Sequence, residues 1–328
     1  MKWLITGGCG FIGSNLVHHL CKSDEQAVVR VVDNLSAGKR SDLGRVVEFT
    51  ERSPEAMGAF EAADGEVELV VGDVLDEDLA VRAAEGTDVI VHLAANTGVA
   101  PSVEDPRHDC TTNVLGTLNY LEAARHQEVP RFVLASSGAP IGEVEPPIHE
   151  ELAPHPKSPY GASKLAGEGY CSAYHGTFGV ETVALRFGNV YGPRSSHKSS
   201  VVAKFVRRAL EGKPLEIYGD GQQTRDFIHT DDLIQAIRLA ATQDDVGGEV
   251  FQIATNSETT ISELAERLVP ILEEEAGLDD IEVRHTEPRQ GDVRRNYSDT
   301  SKAEEVLEWQ SHINLTAGLA RTVREFTR

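Results

Sequence analysis

The chain has 328 residues, 40% of them apolar, and its 31 Lys and Arg against 53 Asp and Glu give a formal net charge of −22. Nucleic-acid binding needs basic residues to neutralise phosphates, so that balance excludes it as the main activity, and no apolar run approaches the roughly 20 residues of a membrane span. The length suits two packed domains of roughly 100 to 200 residues each.

In chain order, MKWLITGG enters a strand-like apolar run and then a glycine cluster, without the basic and long apolar regions of a signal peptide. A cytoplasmic location is the expectation. TGGCGFIGS then places Gly7, Gly10 and Gly13 between that strand and a helix bearing Leu16, Val17 and Leu20. This is the context in which a glycine triplet makes a dinucleotide loop: a tight turn, close backbone approach to the pyrophosphate, and helix packing on the strand. The second strand ends in VVDNLSAGKR, where Asp33 can bind a ribose diol and repel a 2′-phosphate, favouring NAD over NADP. Asp73, in VVGDVLDED, follows the third strand at the edge where an adenine would lie.

Further apolar runs, DVIVHLA, RFVLAS, ETVALRF and EVFQIA, alternate with segments of helical length. The pattern predicts an α/β fold with a doubly wound parallel sheet covered on both faces. RFVLAS leads into Ser136 and Ser137 at the strand end where such sheets bind ligands. SPYGASK follows, and on a helix Tyr160 and Lys164, four residues apart, share one face. Bringing a phenol from its usual pKa near 10 to about 7 takes roughly 4 kcal/mol in favour of the phenolate. A lysine cation and a positively charged nicotinamide in a dry cleft can supply it. After GNVYGPR the pattern becomes less regular, predicting a smaller mixed α/β domain. Residues 1–190 with about 224–254 are expected to form the NAD-binding Rossmann domain, and about 191–223 and 255–328 the substrate-binding domain. Cys9, Cys21, Cys110 and Cys171 are scattered, and His92 and His229 stand singly without ligand spacing. Reduced thiols and no metal site are expected.

Together TGGCGFIG, DNLSAG, GDV, HLAAN, TNVLGTLNYLEAA, ASSGAPIG, SPYGASK, LRFGNVYGP, GDGQQTRDFIHTDD and RQGDVRRNYSDTSKA resemble the extended short-chain dehydrogenase/reductase superfamily. The likeness is to its NAD-dependent nucleotide-sugar epimerase/dehydratase branch, with 4-epimerases of UDP-hexoses the nearest enzyme type. The resemblance implies Tyr160 as general base, Lys164 as its tuning and ribose-binding partner, and Ser137 as hydrogen-bond donor to the reacting oxygen. It puts Phe11, Ile12, Asn34, Val74, Ala94, Ala95 and Asn113 at a tightly bound, recycled NAD with the glycines, Asp33 and Asp73. It puts Asn189, Lys204, Arg225, Arg289, Asp292 and Asn296 at a UDP-sugar, whose diphosphate suits guanidinium forks. The implied reaction is epimerisation at carbon 4 of a UDP-hexose, UDP-N-acetylhexosamine or UDP-hexuronate through a transient 4-keto sugar. An atypical dehydratase, a 4-keto reductase and a catalytically silent NAD-binding sensor are the alternatives. The equivalent helix pair in the superfamily makes a dimer contact, so a homodimer is implied.

Two departures bear on the branch. The dehydratases carry Asp-Glu after the hydroxyl residue, and UDP-glucuronate decarboxylases carry a glutamate there, whereas Gly138 and Ala139 follow Ser137. Epimerisation remains by elimination. SSGAPIG also has Pro140 and Ile141 where epimerases usually have a valine and a tyrosine, which implies different substrate contacts. Asn296 replaces an aromatic that excludes N-acetylated sugars in some epimerases, and His197 and Lys198 read first as part of a solvated loop, SSHKSS, with contact to a sugar carboxylate as the alternative.

Overall fold

The computed structural model of the chain describes residues 1–24, 26–58, 60, 65–288 and 293–327. They form two compact units: residues 1–143, 150–186 and 236–251, and residues 144–149, 187–235 and 252–328.

In the first unit the strands are β1 (Lys2–Thr6), β2 (Val28–Asp33), β3 (Thr50–Arg52), β4 (Val67–Val71), β5 (Val89–His92), β6 (Arg131–Ser137) and β7 (Glu181–Phe187). With Val250–Ile253 they make one eight-stranded sheet in the order Val250–Ile253, β7, β6, β5, β1, β2, β4, β3. β1 pairs in parallel with β2 on one side and with β5 on the other. The chain therefore builds outward from β1 in one direction and then returns to build in the other, the doubly wound arrangement expected. Ligands bind beyond the carboxyl ends of the strands where the direction reverses, here at β1 and β5. β2 is buried at every position and β5 likewise, as strands covered on both faces must be. Leu4, Val32, Ile90, Leu121, Phe132 and Leu134 are among the buried side chains of this core.

The helix Pro159–Phe178 shows why local sequence fixes local structure. Ser158 caps it by accepting from Gly161 N at 3.1 Å, Pro159 occupies the first turn, and Gly179 ends it at φ +71°, each residue type in its favoured place. Gly161 faces the segment after β6 so closely that a Cβ there would lie 2.5 Å from the Ala139 carbonyl oxygen. The cap sets the phase of the helix, and the glycine sets its distance from β6.

The second unit has its own core of Tyr191, Phe205, Leu215, Leu264, Leu268 and Leu319. Its strands include β8 (Asn189–Tyr191), β9 (Leu215–Tyr218), β10 (Thr224–Arg225) and β11 (Phe227–His229). β8 and β11 run parallel, and β10 pairs antiparallel with Thr259–Thr260. No helix among the described residues is long and apolar enough to cross a membrane.

Candidate functional site

The glycine loop leaves β1 at Gly7, whose φ of +71° is a left-handed conformation that glycine adopts without strain. A Cβ on Gly13 would collide with the Gly7 carbonyl and approach Gly8 Cα to 2.5 Å, so the helix Phe11–Ser23 lies directly on the loop. Gly10 caps this helix without a side-chain hydrogen bond. The first-turn N–H groups of Phe11, Ile12 and Gly13 have no preceding turn to bond to, the property that suits such a helix end to an anion.

Asp33, at the end of β2, accepts from Cys9 N at 2.9 Å and from Leu35 N at 2.8 Å, one bond to each carboxylate oxygen. Burial raises its pKa while those two amide bonds lower it. Asp33 thus ties the glycine loop to the second strand and keeps lone pairs for a further donor. Asn34 Nδ2 donates to Asp73 Oδ2 at 2.9 Å, and Val74 beside it is buried. Past β5, Ala94 N donates to Thr6 Oγ1 at 3.2 Å, and Gly7 faces Ala94 so closely that a Cβ would lie 2.9 Å from its nitrogen. Ala95 follows Ala94, half-buried. This cradle of backbone amides, close glycines and a buried carboxylate fits a dinucleotide, with the diphosphate on the helix end and a ribose diol on Asp33. Cys9 is fully buried and its thiol is pushed up to about 12, burial first and the Asp33 charge next, so it is an inert wall of the loop.

Tyr160 and Lys164 lie one turn apart on the Pro159–Phe178 helix, with Lys164 Nζ 5.9 Å from the Tyr160 ring centroid. Lys164 is only 5% exposed, and its ammonium donates to the Ala135 carbonyl of β6 at 2.8 Å. Burial pulls it down to about 8, against the opposing charges of Asp109 and Glu168. The Tyr160 phenol is pushed up to about 12: burial acts first, the hydrogen bond to Ser137 works against it, and the Asp109 charge adds to the rise. Ser137, at the end of β6, also accepts from Ala139 N at 3.2 Å. The fold therefore brings Ser137, Tyr160 and Lys164 together.

Asn113 sits within a π-helical turn, Thr111–Leu115, that precedes the helix Gly116–His126, a distortion often found at functional sites. Its Oδ1 accepts from Asn96 N at 2.7 Å, and its Nδ2 donates to Asn96 O, Asp109 Oδ1 and Ser163 Oγ. Sequence reading missed Glu168 and Arg186. The Arg186 guanidinium grips Glu168 with bonds of 2.9 and 2.7 Å, and Ser136 Oγ donates to Glu168 at 2.5 Å. The signal was available, since Glu168 continues the four-residue spacing of Tyr160 and Lys164. Pro140 and Ile141 are both buried, with Ile141 N bonded to Gly138 O at 3.2 Å.

In the second unit, Asn189 N donates to Asp226 O at 2.8 Å. Arg225 donates to the Thr224 and Val293 carbonyls, at 2.6 and 2.8 Å. Asn296 N donates to Thr224 Oγ1 at 3.2 Å, so Asn189, Arg225 and Asn296 share the neighbourhood of β8, β10 and β11. Lys204 is instead drawn to β9, with Nζ 3.3 Å from Glu216 and 2.9 Å from the Tyr218 hydroxyl. Asp226, also missed, accepts from Thr255 N, Thr255 Oγ1, Ser257 N and Ser298 N, and so holds three segments together. Arg289 and Asp292 lie outside the described residues. No group of His, Cys, Asp and Glu among the described residues can hold a metal ion.

Comparison with known proteins places this geometry in a family. The chain is 38% identical over 331 residues to a UDP-glucose 4-epimerase of Mycolicibacterium smegmatis, covering 99% of this chain and 98% of that one. It superposes with a TM-score of 0.86 and 35% identity on the UDP-glucose 4-epimerase of Thermotoga maritima with UDP-glucose, covering 99% and 98%. A UDP-N-acetylglucosamine 4-epimerase from Methanobrevibacter ruminantium, in complex with UDP-N-acetylmuramic acid, gives a TM-score of 0.87 at 30% identity, covering 99% and 97%. Residues 3–254 match the NAD dependent epimerase/dehydratase family, and the chain belongs to that family.

Proposed function

We propose that this protein interconverts the carbon-4 epimers of a UDP-sugar. The observation that carries the reading is the grouping of Ser137, Tyr160 and Lys164 beyond β6 with no carboxylate after Ser137, where Gly138 and Ala139 stand. Removal of a 6-hydroxyl as water needs an extra acid and base beside the serine; epimerisation does not. NAD, when bound, supplies a hydride acceptor and donor at its nicotinamide, and its positive charge favours the phenolate.

Tyr160 Oη takes the proton of the sugar 4-hydroxyl and later returns it. Ser137 Oγ donates to the reacting oxygen and holds it in reach of the phenol. Lys164, fixed by the Ala135 carbonyl, keeps a positive charge beside the ring and donates to a cofactor ribose hydroxyl. Gly7, Gly10 and Gly13 admit the cofactor diphosphate, with Phe11 and Ile12 offering their amides. Asp33 takes the adenosine ribose, Asn34, Asp73 and Val74 border the adenine, and Ala94, Ala95 and Asn113 border the nicotinamide. Asn189, Arg225, Arg289 and Asp292 hold the substrate diphosphate and nucleoside ribose, Lys204 adds a cation only on leaving Glu216, and Asn296 leaves space for an N-acetyl group.

Incubating purified protein with UDP- and dTDP-sugars, without added cofactor, tests this by product mass and proton NMR. An isomer of unchanged mass is expected, with UDP-N-acetylglucosamine turned over faster than UDP-glucose. Loss of water identifies a dehydratase, and in a parallel incubation with added NADH or NADPH stoichiometric consumption of the reduced cofactor identifies a reductase. Either result removes the epimerase reading.

A homodimer is part of the same proposal. Val103, Leu115 and Phe178 are 60%, 48% and 48% exposed on helical segments of the first unit, apolar surface that a second copy would cover.

A further inference from the structure

One buried carboxylate has no part in the chemistry above. Asp109, on the short helix Pro106–Cys110, has no solvent exposure. Its Oδ1 accepts from Asn113 Nδ2 at 3.0 Å, and its Oδ2 has no hydrogen-bond partner among the described residues. The same Asn113 Nδ2 lies 3.0 Å from Ser163 Oγ, which donates to the Tyr160 carbonyl at 3.0 Å. A polar chain thus runs from Asp109 to the backbone of the residue that carries the phenol. An anion buried with one oxygen unsatisfied is costly unless a nearby cation offsets it. On its own helix Arg107, His108 and Cys110 are exposed, as is Asp105 at the cap. From the Pro159–Phe178 helix come Tyr160 and Lys164; Glu168 on that helix is already gripped by Arg186. His92 on β5, which burial keeps neutral with a pKa of about 3, adds no charge beside Lys164. Glu104, on the neighbouring helix Val99–Glu104, is exposed.

We propose that Asp109 is a positioning residue for the reaction, its buried carboxylate serving as the counter-charge that keeps Lys164 an ammonium and sets how tightly Tyr160 holds its proton. The inference rests on the reading of Tyr160 as base and Lys164 as its partner. One negative charge raises the proton affinity of both groups, so its removal lowers both together. Asparagine is nearly isosteric, and its side-chain oxygen can still accept from Asn113. Asp109→Ser retains an acceptor in smaller form, should the first variant not fold.

The test is a spectroscopic titration of the NAD-loaded protein, following phenolate absorbance with the Tyr160→Phe signal subtracted. Circular dichroism confirms folding of each variant. In Asp109→Asn or Asp109→Ser the Tyr160 midpoint is expected to fall by about one pH unit. Both limbs of the pH–rate profile are expected to move to lower pH together. A merely structural role lowers the height of the profile and leaves the midpoint and limbs in place, and that result, or a midpoint that rises, overturns the proposal. The titration needs no substrate. A wild-type protein that titrates as described and leaves every UDP-sugar unchanged therefore rejects the epimerase reading and not this one.

Discussion

Tyr160 stands between opposing influences. Burial and the Asp109 charge hold the phenol at about 12, while Ser137 pulls it down; in the proposed chemistry Lys164 and the cofactor charge favour the phenolate. A side chain so balanced is replaced at great cost to the rate and little to the fold. Tyr160→Phe is expected to lower turnover by about two to four orders of magnitude with an unchanged melting temperature, measured by product formation and calorimetry. His92 makes a different demand. It is fully buried and bonded to Thr6 Oγ1 at 3.0 Å, and burial depresses its pKa to about 3 from 6.5. Below pH 6.5 the unfolded chain takes up a proton that the native state refuses. The His92 contribution to stability is therefore complete above 6.5 and lost progressively down to about 3, at about 1.4 kcal/mol per pH unit. Urea melts between pH 7 and about 4 should show a shallower loss in His92→Gln than in wild type.

At the scale of elements, the glycine loop and the tyrosine helix were legible because their information is local. Three glycines between a strand and a helix, and Ser-Pro before a tyrosine and a lysine one turn apart, each define a conformation within a dozen residues. Gly13→Ala is the sharp test of the loop. The added methyl meets the Gly7 carbonyl and Gly8 Cα, so a loss of about 1–3 kcal/mol is expected, together with weaker NAD binding in a fluorescence titration. What escaped the sequence depends on distant contacts. The π-helical turn at Thr111–Leu115 reads as an ordinary helix, and only in the fold does Asn113 meet Asn96 and Ser163. Arg186 is eighteen positions from Glu168 and on another element, and nothing in periodicity announces their pairing. Pro140 and Ile141 attracted notice as departures from a pattern, but their burial follows from how the chain turns after β6.

For the whole molecule, the two units carry different parts of the proposed chemistry. The dinucleotide cradle and the Ser137, Tyr160 and Lys164 group belong to the first, and Asn189, Lys204, Arg225 and Asn296 to the second. Analytical ultracentrifugation is expected to give twice the chain mass, and Leu115→Glu to give the monomer; a wild-type monomer removes the dimer proposal. The net charge of −22 does not oppose pairing at physiological salt, where charges more than about 8 Å apart are largely screened.

Asp33 has a consequence for anyone wishing to change the nucleotide preference of the protein. Its carboxylate is both the proposed discriminator against a 2′-phosphate and the clasp on Cys9 N and Leu35 N. Asp33→Ser, the obvious first step toward NADP, is expected to release two amides at once and to lower the melting temperature before any new preference can be measured. A successful redesign would have to re-anchor those amides from another side chain, because the proposed selectivity and the scaffold share one pair of oxygens.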